Sequence, residues 1–337
     1  MSALKNLLQK IDEANRDWRL IQKNDSVVAA ISGGPDSAAL LFALSKLCRK
    51  YSLRLSAAHL DHGLQGLRSR FFLDQAKKLS QKLEVPFYSK TVKVAVLAKK
   101  YKRSLEEMGR LERYRFFLEV AAKSRSNKIA TAHTLDDQAE TVLLRLVRGS
   151  GLRGLCGVAS KRREGGVWII RPLLLCQKKE LLAALKENRI SFSEDPTNRD
   201  DSFTRNRVRR RLLPLLESAF NPRIKEALSG LQSASWEAQD FIEKKASAAF
   251  KNCAVKKISR GKASLKLNAL KRLHRAVRSE VFSQALFQVK GDLKRFTYRN
   301  LSGLEALLDS SEAGLKLHLP GVHVQKTDST LDFSRSD

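Results

Sequence analysis

Up to about Gly149, apolar positions switch between a spacing of three to four and a spacing of two or a short unbroken run, and each switch marks an element. Met1 to about Leu20 reads as an amphipathic helix. Ser26-Val27-Val28-Ala29-Ala30 is a short β-type run, and Ala38-Ala39-Leu40-Leu41-Phe42-Ala43-Leu44 is strongly helix-forming, extending to about Lys50. Ile31-Ser32-Gly33-Gly34-Pro35-Asp36-Ser37 between them is therefore a strand-to-helix loop. Leu53 to Leu60 alternates as a second strand and ends in Asp61-His62-Gly63-Leu64. A basic helix from about Arg68 to Leu83 follows, then a third strand over 86–92. Ser104-Leu105-Glu106-Glu107 is a capping box opening a helix to about Lys123. Lys128 to His133 is a fourth strand, and Asp136 to Val147 a further helix. Strand and helix alternating with short joints predict an α/β fold with a doubly wound parallel sheet, which binds ligands at the C-terminal ends of its strands.

After Gly149-Ser150-Gly151-Leu152-Arg153-Gly154 the pattern loosens. Lys161 to Gly166 reads as a basic loop, Val167-Trp168-Ile169-Ile170 as a strand ending at Arg171-Pro172, and Lys178 to Asn188 as a helix. Glu194-Asp195-Pro196-Thr197-Asn198-Arg199-Asp200-Asp201 is too rich in turn formers for regular structure. Phe203 to Arg211 then leads into a helix bearing Leu212, Leu213, Leu215 and Leu216. Long Lys-rich helices take over from about 222, and short strands around Leu319-Pro320-Gly321 close the chain. A boundary near 216–222 separates residues 1–216 from a smaller, mainly helical C-terminal region, 217–337.

Charge changes the picture. Lys plus Arg outnumber Asp plus Glu by 64 to 35, a formal +29 on 337 residues, far beyond what solubility requires. The excess is spread along the chain rather than gathered on one amphipathic helix, which favours nucleic acid over a membrane surface. No apolar run approaches the roughly 18 residues of a membrane span, and the N-terminal stretch lacks an apolar signal core, so the expected location is the cytoplasm. Cys48, Cys156, Cys176 and Cys253 are isolated, suggesting neither a zinc site nor a disulfide framework. A homodimer is neither required nor excluded.

The glycine loop is the strongest chemical signal. Adjacent glycines bring backbone N–H groups close to a ligand, and the following helix start adds roughly half a positive charge, so a phosphate is the natural guest. No Lys-Ser or Lys-Thr pair closes the loop as in a Walker A motif; an acid, Asp36, stands there instead. An acid beside phosphates implies a metal between them, with Asp36 as a Mg²⁺ partner and Ser32, Gly33, Gly34 and Ser37 as a pyrophosphate cradle. The competing reading is a Gly-Pro turn whose Asp36 and Ser37 cap a helix. Thr131-Ala132-His133-Thr134-Leu135-Asp136-Asp137-Gln138-Ala139-Glu140-Thr141 places His133, Asp137 and Glu140 within about one helical turn, with Asp136 at or near the N-cap. Those acids can hold Mg²⁺ or a cationic substrate, and His133 can steady charge on a phosphate or leaving group.

Ser32-Gly33-Gly34-Pro35-Asp36-Ser37 resembles the pyrophosphate loop of the N-type ATP pyrophosphatases, the PP-loop superfamily, with a Rossmann-like sheet. Ala132 to Thr141 with Arg148-Gly149-Ser150-Gly151, Asp61-His62-Gly63-Leu64, and Glu194 to Asn198 with Arg205-Asn206-Arg207-Val208-Arg209 together resemble the bacterial tRNA(Ile)-lysidine synthetases over about residues 20–220. The resemblance implies a ligase that uses ATP to adenylate the C2 oxygen of the wobble cytidine in a minor isoleucine tRNA with a CAU anticodon. The amine of L-lysine then displaces AMP. It implies ATP and Mg²⁺ as cofactors, with Ile31 to Ser37, His59, Asp61 and His62 at the nucleotide and Asp36 and Asp137 at the metal. Asp137 and Glu140 are the acids for the lysine ammonium or the metal, and His133, Arg113 and Arg205 the groups that neutralise phosphate. Met108-Gly109 before Arg110, and Gln65 after His62-Gly63-Leu64, depart from the family's usual residues. Lys244, Lys245, Lys256, Lys257, Lys271, Arg272, Arg275, Arg278, Lys294 and Arg295 are expected to serve the RNA backbone. Two competitors remain: a PP-loop tRNA thiolase, which usually presents cysteine pairs, and a non-catalytic RNA-binding protein on the same fold.

Overall fold

The structure is a computed structural model that describes residues 2–64, 66–193, 204–255 and 261–336. Gln65, the Glu194-to-Asn198 motif and Lys256 and Lys257 lie outside the described residues. The chain divides into two compact units, Met1–Arg148 with Gly157–Leu231, and Gly149–Cys156 with Gln232–Asp337. The position expected for a boundary, near 216–222, thus falls inside the first unit, and a short internal segment joins the second.

The first unit runs α1 (Ala3–Trp18), β1 (Ser26–Ala30), α2 (Pro35–Tyr51), β2 (Arg54–Asp61), α3 (Leu67–Lys82), β3 (Phe87–Thr91), α4 (Val94–Lys100), α5 (Leu105–Lys123), β4 (Lys128–Ala130) and α6 (Leu135–Val147). After α7 (Leu152–Leu155), which belongs to the second unit, it resumes with β5 (Lys161–Glu164), β6 (Val167–Ile170), α8 (Lys178–Glu187), α9 (Thr204–Arg207), a π-helical turn over Val208–Leu212, α10 (Leu213–Ala219) and the start of α11 (Ile224–Cys253). Its six strands lie in the order β3-β2-β1-β4-β6-β5, with β1 parallel to β2 and β4, β2 to β3, and β4 to β6. The doubly wound parallel sheet is therefore as expected, with one correction. The supposed basic loop at 161–166 contains β5, which pairs antiparallel with β6 across Gly165-Gly166. Its run of charged residues masked the strand, because an edge strand in an α/β sheet can afford polar side chains.

Alternation along the strands divides the core into two layers. Val27 and Ala29 of β1 and Leu55 and Ala57 of β2 pack with Leu7, Ile11, Leu40, Leu44, Leu181 and Leu185 from α1, α2 and α8. Val28, Ala58, Leu60 and Ile129 face the other way, onto Phe116, Phe117 and Val120 of α5. Pro35 to Leu44 is almost wholly buried, which explains why α2 is apolar on nearly every side. At the N-terminal edge, buried Lys128 pairs with buried Asp25 at 2.6 Å and donates to the Leu20 carbonyl at 2.7 Å. Asn127 Nδ2 donates to the same carboxylate at 2.8 Å. This clamp sets β1 against β4, and deleting Lys128 alone would strand a buried carboxylate at a cost of about 3–5 kcal/mol.

The second unit adds β7 (Lys262–Lys266), α12 (Leu267–Lys271), α13 (Arg275–Lys290), α14 (Tyr298–Asp309), β8 (Lys316–Leu319), β9 (Val322–Lys326) and β10 (Thr330–Arg335). Its antiparallel sheet has the order β7-β10-β9-β8, and the expected strands around Leu319-Pro320-Gly321 are the β8–β9 hairpin. Phe282, Leu286, Leu304, Val324 and Phe333 form its core. Arg153 Nη2 ties α7 into this unit through Glu243 at 2.7 Å and Glu280 at 2.8 Å. Arg278, expected to serve an RNA backbone, is instead mostly buried and paired with Glu305, so it belongs to the unit's interior. Among the described residues no helix is long and apolar enough to cross a membrane.

Candidate functional site

From β1 the chain winds outward to β2 and β3, then returns to place β4 and β6 on the other side of β1. The strand order reverses between β1 and β4, where the loops leaving adjacent strands part and open a crevice. The glycine loop leaves β1 there, and the segment from Thr131 to Glu140 leaves β4. A cavity of about 740 Å³ occupies this position.

The glycine loop is braced mostly by its own side chains. Ser32 N–H donates to Ser37 Oγ at 3.1 Å, and Ser37 Oγ donates to the Gly34 carbonyl at 2.9 Å. Gly33 has φ +86°, and a Cβ there would lie 2.8 Å from the Phe72 carbonyl oxygen, so both conformation and space demand glycine. Gly34 is the N-cap of α2 with Pro35 beside it, and no side chain caps the helix. The first-turn N–H groups of Asp36 and Ser37 are thus left toward the cavity, the arrangement that suits an anion. The Gly-Pro turn is present; the helix capping by Asp36 and Ser37 is not. Asp36 Oδ1 is buried without a hydrogen-bond partner. Burial pushes its carboxyl up to about 6, against the pull of Lys178 and with a further push from Asp137.

The loop after β4 is built differently. Thr134, rather than Asp136, is the N-cap of α6, and Asp137 completes a capping box: Asp137 Oδ2 accepts from Thr134 N–H at 3.0 Å while Thr134 Oγ1 accepts from Asp137 N–H at 3.3 Å. Asp136 turns away and accepts from Lys178 N–H at the start of α8 (2.7 Å) and from Lys225 Nζ (3.1 Å). Glu140 is 1% exposed, and both its oxygens are engaged: Oε2 with Arg205 Nε at 3.0 Å, and Oε1 with Arg209 Nε at 2.5 Å. Arg205 Nη2 also reaches Asp137 Oδ1 at 3.0 Å. The π-helical turn after α9 helps bring Arg205 and Arg209 onto the same two acids.

On the β2 side, buried His59 donates from Nδ1 to the Ile31 carbonyl at 2.9 Å, fixing the start of the glycine loop. Asp61 Oδ1 accepts from Gly63 N–H at 2.8 Å. Arg113 Nη2 lies 3.3 Å from His62 Nε2, and burial together with that guanidinium pushes the imidazole down to about 4. His133 Nδ1 sits 3.1 Å from Thr131 Oγ1; burial and the charge of Arg171 push it, too, down to about 4. A neutral imidazole keeps one N–H, and in the tautomer with that proton on Nε2 the ring can donate to an anion.

Of the expected residues, Ile31, Ser32, Gly34, Pro35, Asp36, Ser37, His59, Asp61, His62, Arg113, His133, Asp137 and Arg205 line the one cavity. Gly33 backs onto Phe72. Glu140 lines an adjoining chamber of about 90 Å³ that Asp36, Lys178 and Arg209 share with the main cavity. Sequence reasoning underrated Arg209, whose spacing of four from Arg205 was the available clue. It passed over Tyr114, a cavity-wall ring with Arg110 and Arg162 guanidiniums 5.1 and 4.7 Å from its centroid. It also passed over Lys178, for which no local motif speaks.

The PP-loop domain family matches residues 3–216. Relatives named tRNA(Ile)-lysidine synthase include one from Caldanaerobacter subterraneus, 33% identical over 93% of this chain and 66% of its own length. Those from Clostridioides difficile and Geobacter sulfurreducens are each 33% identical, over 93% and 95% of this chain respectively and 67% of their own lengths. The chain thus spans about two thirds of the length of these relatives. Among solved structures, the U34-tRNA thiolase NcsA from Methanococcus maripaludis with its [4Fe-4S] cluster aligns with a TM-score of 0.58, over 69% of this chain and 78% of that one. At 18% identity that likeness is one of fold. A glycine loop at a switch point would by itself mark a superfamily, but identity sustained over more than nine tenths of the sequence is narrower, and the chain belongs to the tRNA(Ile)-lysidine synthases of the PP-loop family.

Proposed function

We propose that this chain joins free L-lysine to C2 of the wobble cytidine in the CAU anticodon of a minor isoleucine tRNA at the expense of ATP. One juxtaposition carries the reading. An unpartnered acid on a phosphate loop, Asp36, shares a cavity with a carboxylate–guanidinium pair, Asp137 and Arg205. The first suits a triphosphate with its cation; the second offers both signs that a free amino acid needs. In the first step the C2 carbonyl oxygen attacks the α-phosphorus, the bond to the bridging oxygen breaks, and its electron pair leaves with pyrophosphate. In the second the neutral ε-amine attacks C2, the C2–O bond breaks with its pair going to AMP, and the amine's extra proton is lost to water. His133 donates from Nε2 to a phosphate oxygen, and Arg113 offsets its charge.

The residues fit Mg²⁺. Asp36 has a buried oxygen without a partner in a carboxyl that burial pushes up, and Asp137 lies near it. One or two carboxylates completed by substrate phosphates is the usual set for this ion. Bound there, it would supply charge neutralisation on the phosphates. Glu140, the other acid expected to receive an ammonium or metal, has its two oxygens engaged by Arg205 and Arg209.

No cysteine lines the cavity, which leaves a sulfur-transferring thiolase without a carrier there. A purely RNA-binding role leaves the unpartnered Asp36 unexplained. The test is incubation of the purified protein with ATP, Mg²⁺, labelled lysine and a CAU-anticodon isoleucine tRNA transcript. Labelled tRNA with equimolar AMP is expected; no incorporation sinks the reading.

A further inference from the structure

The glycine loop carries no cation, yet a triphosphate brings about four negative charges to it at neutral pH. Two of the cations around the cavity are already committed, Arg205 and Arg209, which are bound to Asp137 and Glu140, while Arg113 lies against His62 on the β2 side. Lys178 differs. It lines both the cavity and the adjoining chamber, in each of which Asp36 is also a wall residue. Its charge is the main influence drawing Asp36 back toward ionisation, yet among the described residues its ammonium forms no ion pair.

Its position is nevertheless tightly set. Lys178 opens α8, and its backbone N–H is held by Asp136 Oδ2 at 2.7 Å. The same carboxylate anchors Lys225, at the start of α11, through Oδ1. Gln177, the N-cap of α8, donates to Glu226 at 2.6 Å, and its carbonyl neighbour at Cys176 accepts from Leu135 N–H at 2.9 Å. The first turns of α6, α8 and α11 are thus stitched together around a lysine whose side chain is left to the cavity.

We propose that Lys178 is the cation the glycine loop lacks: its ammonium meets the β- and γ-phosphates of ATP beside Asp36. There it takes up the charge that develops on pyrophosphate as the bond from the α-phosphorus breaks. Asp136 is its positioning residue, holding the backbone from which the side chain reaches. This rests on the reading of the cavity as an ATP site. It further implies that AMP, which lacks those phosphates, is bound without Lys178.

The experiment measures binding of ATP, inorganic pyrophosphate and AMP, each with Mg²⁺, by titration calorimetry on the full chain. Lys178→Ala is expected to weaken ATP and pyrophosphate roughly 10- to 100-fold, the range for losing one charge-assisted contact. AMP should stay within about twofold and Lys178→Arg should recover most of the loss. Should Lys178→Ala melt early, Lys178→Gln, which keeps part of the stem, carries the measurement. Equal losses for ATP and AMP, or an unchanged ATP affinity, overturn the proposal while leaving the ATP site intact. A wild-type protein that binds no ATP removes the underlying reading and this proposal together.

Discussion

Two loops leave adjacent strands at the same edge of the sheet, one after β1 and one after β4, and both carry acids into one cavity. They stand in opposite electrostatic states. After β4, Asp137 closes a capping box and meets Arg205, while Glu140 is enclosed by two guanidiniums. After β1, Asp36 is half-buried, with its Oδ1 enclosed and unpartnered and its carboxyl pushed up to about 6. One side is neutralised by the fold; the other is left short of a positive charge. For the site proposed above, that division has a use, because satisfying Asp36 internally would leave no unmatched acid to meet an incoming cation.

The largest effect belongs to the unsatisfied side. Asp36→Asn should lower lysine incorporation roughly 10³-fold, comparable to losing a principal electrostatic group. It should also raise stability at pH 8. Because the carboxyl titrates at about 6 rather than 3.8, the wild type keeps its full stability below that lower value and loses it as pH rises through about 6. The asparagine variant lacks this loss, so a gain of up to about 2–3 kcal/mol at pH 8, shrinking toward zero near pH 4, is expected in urea unfolding. Equal stability of the two proteins at pH 8 would show that Asp36 is already satisfied.

Glu140→Gln attacks the neutralised side. It leaves Arg205 and Arg209 with weaker acceptors, but both guanidiniums are partly exposed and can turn to water, so the cost should be about 1–3 kcal/mol. If Glu140 acts by holding Arg205, the KM for lysine should rise more than that for ATP; the reverse result would place Glu140 at the nucleotide. Thr134→Ala removes the cap that orients Asp137 and should cost about 1 kcal/mol in the same unfolding measurement. The smallest expected effect is an absence of change. With its imidazole pushed down to about 4, His133 should show no NMR titration between pH 8 and pH 5.5, whereas a midpoint near 6.5 would mean that it is charged when phosphate arrives.

Local patterns carried much of the fold. The switch from Ser26–Ala30 to a glycine pair to an apolar helix required a strand-loop-helix, and the later alternation required a parallel sheet, because each signal is read within a few residues. The same reasoning missed β5, whose charged residues are tolerable at a sheet edge, and put Asp136 at or near the cap of α6 without singling out Thr134, which is the cap. Thr134, Asp136 and Asp137 are all acceptable cap residues, and the choice depends on what else each one meets. Asp136 meets Lys178 and Lys225, 42 and 89 positions away.

The glycine loop, its acid and the order of the elements around it were therefore determined by the sequence alone, since helix starts and strand periods are short-range consequences of side-chain size and polarity. Which acids would be paired was decided by tertiary structure. Glu140 and Arg205 are 65 positions apart, and nothing local distinguishes Glu140 from Asp36 as a free carboxylate. Strand order brings the two loops together, burial raises the energetic cost of any unmatched charge, and the helix following β6 delivers Lys178 to the acid whose buried oxygen no guanidinium bonds.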